Sequence, residues 1–239
     1  MMAGIQYYTG QLFDMQRITA AAHAVGALAG FDLAHAIGNA PLELHAWGVD
    51  FATWCSYKYL NSGPGNVSGI YVHERWAERP DLPRFGGWWG HDEGERFKME
   101  KGFQPMYGAD GWQLANSNVL ALYAHQAALD LFMEAGIKRL REKSEQLTAY
   151  LAFCLGKIGT LKEWVRIITP AEPEARGCQL SLQVKKGGKA LFDALYARGV
   201  VGDWRHPDVI RIAPTPMYNQ YEEVYRFAQL LEEELKRFT

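Results

Sequence analysis

The alternation of strand-like and helix-like segments over the first 72 residues limits the fold of this chain more than any other feature. Residues 14–29 have apolar side chains at helical spacing, and residues 25–31 and 49–55 are apolar runs of strand length. A short helix over residues 41–47 separates these runs, and residues 67–72 add a further strand. Strands that alternate with helices are typical of parallel crossover units. The pattern therefore predicts an α/β fold with a parallel-rich sheet.

The second half of the chain has a different pattern, in which two long helices over residues 116–133 and 137–155 precede shorter elements. Strands are predicted over residues 164–169, 178–184, 200–204 and 209–212, and helices over residues 189–198 and 221–238. In the last helix one face carries Val224, Phe227, Leu231, Leu235 and Phe238. We therefore expect residues 1–135 to be part of a large domain and residues 136–239 to form a small C-terminal α+β domain.

Composition and charge exclude several classes of function. The 239 residues carry a net charge of −2 with both signs interspersed, which predicts no nucleic-acid partner and no anionic membrane surface. We expect neither a transmembrane segment nor a signal peptide. The three cysteines, Cys55, Cys154 and Cys178, lack the spacing of metal ligands. They predict reduced thiols, no metal site and a cytoplasmic location.

Lys58 lies between a predicted strand and a loop that contains Gly63, Pro64 and Gly65. A tyrosine on either side of this lysine supplies a low-dielectric wall, which favours the neutral amine that attacks an aldehyde. Lys58 is therefore a candidate Schiff-base nucleophile. The alternative is a lysine that extends from a strand end into solvent.

Asp32 and His35 follow the other predicted strand in the same way. The carboxyl ends of parallel strands line the ligand crevice of an open sheet, so we expect Asp32 and Lys58 to face one cavity. A pyridoxal 5'-phosphate site requires such a pair, because the lysine carries the cofactor and a buried aspartate keeps the pyridine nitrogen protonated. The alternatives are a turn role for Asp32 and a buried, hydrogen-bonded histidine at position 35.

The chain contains several ordered blocks: Tyr8-Thr9-Gly10-Gln11, Gly30-Phe31-Asp32-Leu33-Ala34-His35-Ala36, Trp47-Gly48-Val49-Asp50-Phe51-Ala52, Cys55-Ser56-Tyr57-Lys58-Tyr59-Leu60-Asn61, Gly87-Trp88-Trp89-Gly90-His91 and Val209-Ile210-Arg211-Ile212-Ala213-Pro214. Together these blocks resemble the kynureninases, which are pyridoxal phosphate enzymes of the aspartate aminotransferase superfamily. They span nearly the whole chain. The resemblance implies the aspartate-aminotransferase-like fold, fold type I, and a homodimer with shared active sites.

One departure from the family is large, because its members carry a long N-terminal half that has no counterpart here. Residues 1–8 are predicted to form a strand that is followed directly by a loop. They lack the polar segment that usually precedes the first element of a domain. We therefore expect the chain to be the C-terminal portion of a longer enzyme. An inert half-protein is the alternative.

The resemblance implies roles for the residues around the lysine. Lys58 forms the covalent bond to the cofactor and acts in catalysis. Asp32 pairs with the pyridine nitrogen, and His35 contacts the cofactor. Tyr57 reaches the cofactor phosphate and relays protons near the reacting carbons.

Four further residues are candidates for contact with cofactor or substrate, and two of them, Trp88 and Asn116, match family positions with that role. Trp88 and Asn116 contact the cofactor phosphate or the substrate from the neighbouring subunit; the alternatives are a core aromatic and a helix N-cap. Arg211 clamps the substrate carboxylate, or else forms a salt bridge with an acidic neighbour. His91 is a substrate-pocket candidate or a packing residue. Trp88 and His91 lie in residues 79–104, a long irregular segment that we expect to be ordered and functional.

The activity implied by the resemblance is hydrolytic cleavage of L-kynurenine to anthranilate and L-alanine, or of 3-hydroxykynurenine to 3-hydroxyanthranilate. This reaction belongs to tryptophan degradation and NAD biosynthesis. Ala115 offers no hydroxyl to a ring hydroxyl, which favours kynurenine. Another class V aminotransferase or a desulfurase would share Asp32 and Lys58 and is the other alternative.

Overall fold

The computed structural model describes residues 1–238, which divide into two compact units. The first unit consists of Met1–Gly4, Asp14–Ile37 and Leu42–Phe132. The second consists of Ile5–Phe13, Gly38–Pro41 and the described residues from Met133 onward. The second unit therefore includes two short segments from early in the chain.

The first unit contains a four-stranded mixed sheet in the order β1-β2-β3-β4. Its strands are β1 (Met2–Ala3), β2 (Gly30–Asp32), β3 (Phe51–Cys55) and β4 (Ser68–Val72). β1, β2 and β3 are parallel, as the crossover pattern predicts, whereas β4 pairs with β3 in the antiparallel direction. The side chains of Phe31, Leu33 and Ala52 are fully buried and belong to the core of this unit.

Gly30 of β2 lies opposite Phe51 of β3, whose ring covers it. A β-carbon at position 30 would lie 2.2 Å from an atom of that ring. Glycine is therefore required here unless the ring moves, because two strands approach with no room for a side chain.

The first helix, α1 (Met15–Ala24), is shorter than the helix predicted over residues 14–29. Asp14 caps its N-terminus by accepting a hydrogen bond from the Arg17 N–H at 2.9 Å. The helix ends early because Gly26 adopts φ +74°, a left-handed conformation that terminates helices. The strand predicted over residues 25–31 therefore forms only at Gly30–Asp32, as β2.

The helix predicted over residues 41–47 is wrong. This segment forms turns, with one hydrogen bond of helical spacing from the Trp47 N–H to the Glu43 carbonyl. Gly48 follows at φ +70° and redirects the chain into β3. Other short elements of the first unit are 3-10 helices at Glu74–Trp76, Arg96–Lys98 and Gly108–Trp112.

Two long helices follow, α2 (Val119–Ala135) and α3 (Ile137–Gly156). α2 lies mostly in the first unit, and α3 lies in the second. Asn118 stands before α2, and its Oδ1 accepts a hydrogen bond from the Ala121 N–H at 3.2 Å. Ala128 is the buried residue of α2, whereas α3 buries a full stripe of side chains.

The second unit combines helices with an antiparallel sheet in the order β5-β6-β8-β7. Its elements are α3, α4 (Leu161–Trp164), β5 (Val165–Ile167), a 3-10 helix at Pro173–Ala175, β6 (Leu180–Val184), α5 (Lys189–Ala197), β7 (Asp203–Arg205), β8 (Val209–Ile212) and α6 (Tyr221–Phe238). The core includes Leu147, Leu151, Leu182, Leu191, Ile210 and Leu231. In α6, the predicted inward positions Val224, Phe227, Leu231 and Leu235 are buried, but Phe238 is exposed.

The two early segments of the second unit are held by buried polar contacts. The Ser181 hydroxyl donates a hydrogen bond to the Tyr8 carbonyl at 2.6 Å. The Cys178 N–H donates to Oδ1 of Asn39 at 2.9 Å. These contacts join residues more than 130 positions apart into one folded body.

No helix formed by residues 1–238 combines the length and the apolar character that are needed to cross a membrane.

Candidate active site

Lys58 lies in a tight loop that begins directly after β3. The Ser56 hydroxyl donates a hydrogen bond to the Val67 carbonyl at 2.5 Å, and the Ser62 N–H donates to the Ser56 carbonyl at 3.2 Å. Asn61 adopts the left-handed φ of +56°, which tightens the turn further. The loop is thus closed on itself, and Lys58 is held at its start rather than on a mobile segment.

The side chains of Lys58 and His35 meet across the two loops that follow β2 and β3. The Lys58 Nζ lies 3.3 Å from Nε2 of His35. The His35 ring packs edge-on against Tyr59, with centroids 5.9 Å apart, and the Lys58 Nζ lies 5.9 Å from the Tyr57 ring centroid. The two nitrogens are thus within hydrogen-bonding distance of each other. The structure brings the predicted lysine and histidine together.

Asp32 is the last residue of β2 and stands opposite Thr53 of the neighbouring parallel strand β3. Its carboxylate is exposed, and Oδ1 accepts a hydrogen bond from the Ala34 N–H at 2.8 Å. The prediction of a buried aspartate is therefore wrong for this chain. The side chain caps the turn after β2, which was the alternative interpretation.

Tyr57 hydrogen-bonds Cys55, the last residue of β3. This hydrogen bond, the repulsion by the Cys55 charge and partial burial all raise the pKa of the Tyr57 hydroxyl above its usual value. The phenol therefore stays protonated up to higher pH and keeps its O–H as a hydrogen-bond donor. β3 has ended before Tyr57, so strand alternation does not force Tyr57 and Lys58 onto opposite faces.

Trp88 and His91 line one cavity of about 300 Å³, together with Gly86, Gly87, Arg96 and Phe103. Trp88 packs edge-on against Phe97, with centroids 5.4 Å apart. Nδ1 of His91 accepts a hydrogen bond from the Gln104 N–H at 2.9 Å, which leaves Nε2 to carry the proton of the neutral ring. Trp88 is half-exposed and is not the core aromatic of the alternative interpretation.

Arg96 was not predicted from the sequence, yet it is the buried charge of this cavity. Its side chain is 5% exposed, and its guanidinium lies 4.8 Å from the Trp89 ring centroid. One Nη donates to the Trp89 carbonyl at 3.2 Å. Within residues 1–238 no carboxylate forms an ion pair with it. The glycines and tryptophans around it gave no signal for a buried cation.

Asn116 is exposed and lies in the loop before α2. The N-cap role considered for it falls to Asn118 instead, whose Oδ1 accepts the Ala121 N–H.

Arg211 lies in β8 of the second unit and is paired there. Its Nε and Nη2 lie 2.6 Å and 2.5 Å from Oδ2 of Asp203, and Nη1 donates to the Tyr7 carbonyl at 2.8 Å. The Nε of Arg205 lies 2.8 Å from the same carboxylate oxygen. Asp203 thus lies between two guanidinium groups, and the salt bridge considered as an alternative for Arg211 is present.

A second polar cluster, around Asp50, had no predicted role. The Asp50 side chain is 1% exposed and accepts hydrogen bonds from His23 at 2.8 Å, the Ala29 N–H at 2.7 Å and Trp76 at 2.9 Å. Burial alone would raise the pKa of this carboxyl, but the three hydrogen bonds outweigh it and lower the pKa. An aspartate inside an otherwise apolar strand was the available sequence signal.

Comparison with known proteins gives consistent matches over the chain. Residues 140–231 match the kynureninase C-terminal domain. The chain is 53% identical over 232 residues to a kynureninase of Flavobacterium psychrophilum, and 52% identical over 229 residues to one of Koribacter versatilis. These matches cover 97% and 96% of the chain but only 55% and 54% of the relatives. The chain thus spans about half the length of the curated relatives it matches.

Solved structures with a similar fold include a cysteine desulfurase of Escherichia coli, with a TM-score of 0.80 at 18% identity. An alanine–glyoxylate aminotransferase of a Nostoc species gives a TM-score of 0.74 at 22% identity. These matches cover 99% and 98% of this chain, and 58% and 60% of the solved chains. They confirm the predicted fold class, an α/β fold of the type that these enzymes share. The sequence matches show that the chain is similar to kynureninases over the C-terminal part of those proteins.

Proposed function

We propose that this chain supplies the catalytic lysine of an enzyme that hydrolyses L-kynurenine to anthranilate and L-alanine, with pyridoxal 5'-phosphate as cofactor. 3-Hydroxykynurenine, which would give 3-hydroxyanthranilate, is the other substrate of this class. The observation that carries the proposal is the Lys58–His35 contact of 3.3 Å at the carboxyl ends of two parallel strands, in a chain 53% identical to kynureninases.

The side chains of the first unit fit the proposed cofactor. Lys58 offers a primary amine, Asp32 a carboxylate at the end of the adjacent strand, and Tyr57 a protonated phenol. Bound pyridoxal phosphate supplies an electron-withdrawing pyridinium that stabilises negative charge at the substrate α-carbon. Lys58 would hold the cofactor, and Asp32 would face its ring nitrogen.

The same residues account for the proton transfers. Lys58 acts as general base and then general acid at the α-carbon, because its amine is positioned and part-buried. His35 contacts that amine and orients it. Tyr57 donates the proton that completes alanine. Water is the second reactant, and its hydroxyl ends on the carboxylate of anthranilate.

The remaining predicted residues are proposed to bind substrate and cofactor in a homodimer. Trp88 and Asn116 contact the cofactor phosphate or the substrate of the neighbouring subunit, and His91 lines the substrate pocket. Arg211 clamps the substrate carboxylate, which must then compete with Asp203 for the guanidinium. Ala115 leaves kynurenine as the preferred substrate.

The proposal includes the setting of the enzyme. Residues 1–135 are the C-terminal part of the cofactor-binding large domain, and residues 136–239 are the small domain. The complete enzyme acts in the cytoplasm, in tryptophan degradation and NAD biosynthesis.

Borohydride reduction followed by peptide mass analysis tests the cofactor lysine. The chain is mixed with pyridoxal phosphate and with the N-terminal part of a kynureninase, then reduced. We expect a pyridoxyl adduct on Lys58, no adduct and no turnover in Lys58→Ala, and normal behaviour in Lys101→Ala, which removes an exposed lysine. Wild-type turnover by Lys58→Ala would contradict the proposal, and absence of the adduct would favour the inert half-protein.

A second candidate, a desulfurase or aminotransferase of the same superfamily, is favoured by the fold match to cysteine desulfurase at a TM-score of 0.80. It would use the same lysine. Assays with cysteine and with keto-acid amine acceptors separate it from the kynurenine reaction.

A further inference from the structure

The helix α2 is apolar on nearly all sides but is not buried. Asp130 and Glu134 are the only acidic residues among its 17, and the helix has no lysine or arginine. Helices that are apolar all round are typical of the interior of larger proteins. In this chain Ala128 is the buried residue of α2, so most of its apolar surface faces solvent.

Five of the exposed residues of α2, at positions 120, 123, 124, 127 and 131, form one continuous apolar stripe, hereafter the α2 stripe. Leu120, Tyr123 and Leu131 are 83%, 72% and 56% exposed. Ala124 and Ala127 lie between them at helical spacing and are also exposed. Contiguous apolar surface of this kind marks an interaction site in a folded protein.

We propose that the α2 stripe is the docking surface for the N-terminal part of a kynureninase. The match to the Flavobacterium psychrophilum kynureninase covers 97% of this chain but only 55% of that relative. The fold match, found independently, covers 99% of this chain and 58% of the cysteine desulfurase. In both comparisons, therefore, a similar share of the other protein's polypeptide lies outside the matched region. This inference rests on the similarity to kynureninases that also supports the proposed function.

The chemistry of the stripe favours a protein partner. An anionic membrane or a nucleic acid would require lysine or arginine beside the apolar side chains, and α2 has neither. An apolar helix face of this type packs against helices or a sheet of a protein.

The opposite side of α2 faces the loop that carries Lys58. Nδ1 of His125 and Oγ of Ser62 are 2.7 Å apart. A partner that covers the α2 stripe would therefore immobilise the helix that holds this loop. Docking and the preparation of the lysine site are coupled through one helix.

Association of two purified polypeptides tests this proposal without any assay of activity. The chain is mixed with the polypeptide that precedes the matched region in the Flavobacterium psychrophilum kynureninase, and mass is measured by light scattering after size exclusion. We expect a complex of the two. Tyr123→Lys should weaken the complex by about tenfold or more, because a lysine would be buried at the centre of the interface.

The matched control is Tyr218→Lys, which makes the same change at a tyrosine that is 79% exposed in the second unit. It should bind as the unchanged chain does. The proposal is overturned if no complex forms, or if both variants bind equally well. A third result also overturns it: the chain alone forms a dimer, Tyr123→Lys dissociates this dimer, and addition of the N-terminal polypeptide does not dissociate it. The α2 stripe would then bind a second copy of the chain. Circular dichroism verifies that both variants are folded.

Discussion

Nδ1 of His125 in α2 is hydrogen-bonded to the hydroxyl of Ser62 at 2.7 Å. Ser62 lies four residues beyond Lys58 in the sequence. Ser62 is buried, and its carbonyl accepts a hydrogen bond from the Asn66 side chain at 2.5 Å. The loop that presents Lys58 is thus fixed both by its own hydrogen bonds and by a helix that begins more than 50 residues later. Substitutions that cut this connection should loosen the lysine without touching it.

The first prediction concerns this hydrogen bond. Ser62→Ala should lower the free energy of unfolding by about 1–2 kcal/mol, because His125 loses its partner in a part-buried position. Urea denaturation measures the change. Ser117→Ala, at an exposed serine, should have no effect, and an equal loss in both variants would show that the hydrogen bond is not responsible.

Removal of the Cys55 thiol should lower the pKa of Tyr57. The hydrogen bond and the charge of Cys55 are the largest causes that raise this pKa above 10.0, so Cys55→Ala should return it toward that value. Alkaline difference absorbance gives the titration of Tyr57 when the spectrum of Tyr57→Phe is subtracted. An unchanged midpoint in Cys55→Ala would exclude the contact as the cause.

Asp50 should make the protein sensitive to acid. Its folded pKa lies below the value of 3.8 that applies without these contacts, so its contribution is complete above about pH 4 and is lost as the pH falls through the lowered value. Asp50→Asn should lower the free energy of unfolding by about 1–3 kcal/mol at neutral pH. It should also reduce the fall of this free energy between neutral and acid pH, which is the acid limb of the stability curve. Urea unfolding from pH 7 to pH 3 measures both. Asp130→Asn, at an exposed position of α2, should leave the acid limb unchanged.

Gly30→Ala should destabilise the sheet of the first unit. The new methyl group would meet the Phe51 ring at 2.2 Å, which forces the ring or the strand to move at a cost of about 1–3 kcal/mol. Phe51→Leu in the same chain should recover part of the loss. Gly156→Ala has open space around it and serves as the control; a similar loss in thermal stability for both glycine variants would refute the steric explanation.

Much of the second unit could be predicted from the sequence because its elements are strongly periodic. Val224, Phe227, Leu231 and Leu235 recur at helical spacing, and burial of one face of α6 follows directly. The exposure of Phe238 did not follow, since the last turn of a helix has fewer neighbours.

The first unit was less predictable because its elements are short and local signals compete. Residues 41–47 contain apolar side chains at helical spacing, but one turn forms too few hydrogen bonds to continue as a helix. The antiparallel direction of β4 depends on pairing with β3 and on no feature of residues 68–72 alone.

Within the candidate site, the sequence predicted roles for Lys58 and His35 but not for the side chains that support them. The pairs Ser62–His125 and Arg211–Asp203 are set by tertiary folding, and Asp50 gave only a weak signal. Side chains that position other side chains are the hardest to find without a structure.

The interleaving of the two units has a consequence for how this sequence can evolve. Ser181 and Cys178 meet Tyr8 and Asn39, which the gene encodes more than 400 bases earlier. A crossover that exchanged only the last third of the gene with that of a distant relative would join surfaces selected in two different lineages. Recombinants should therefore remain folded only when the short early segments and the C-terminal residues that they contact come from the same parent.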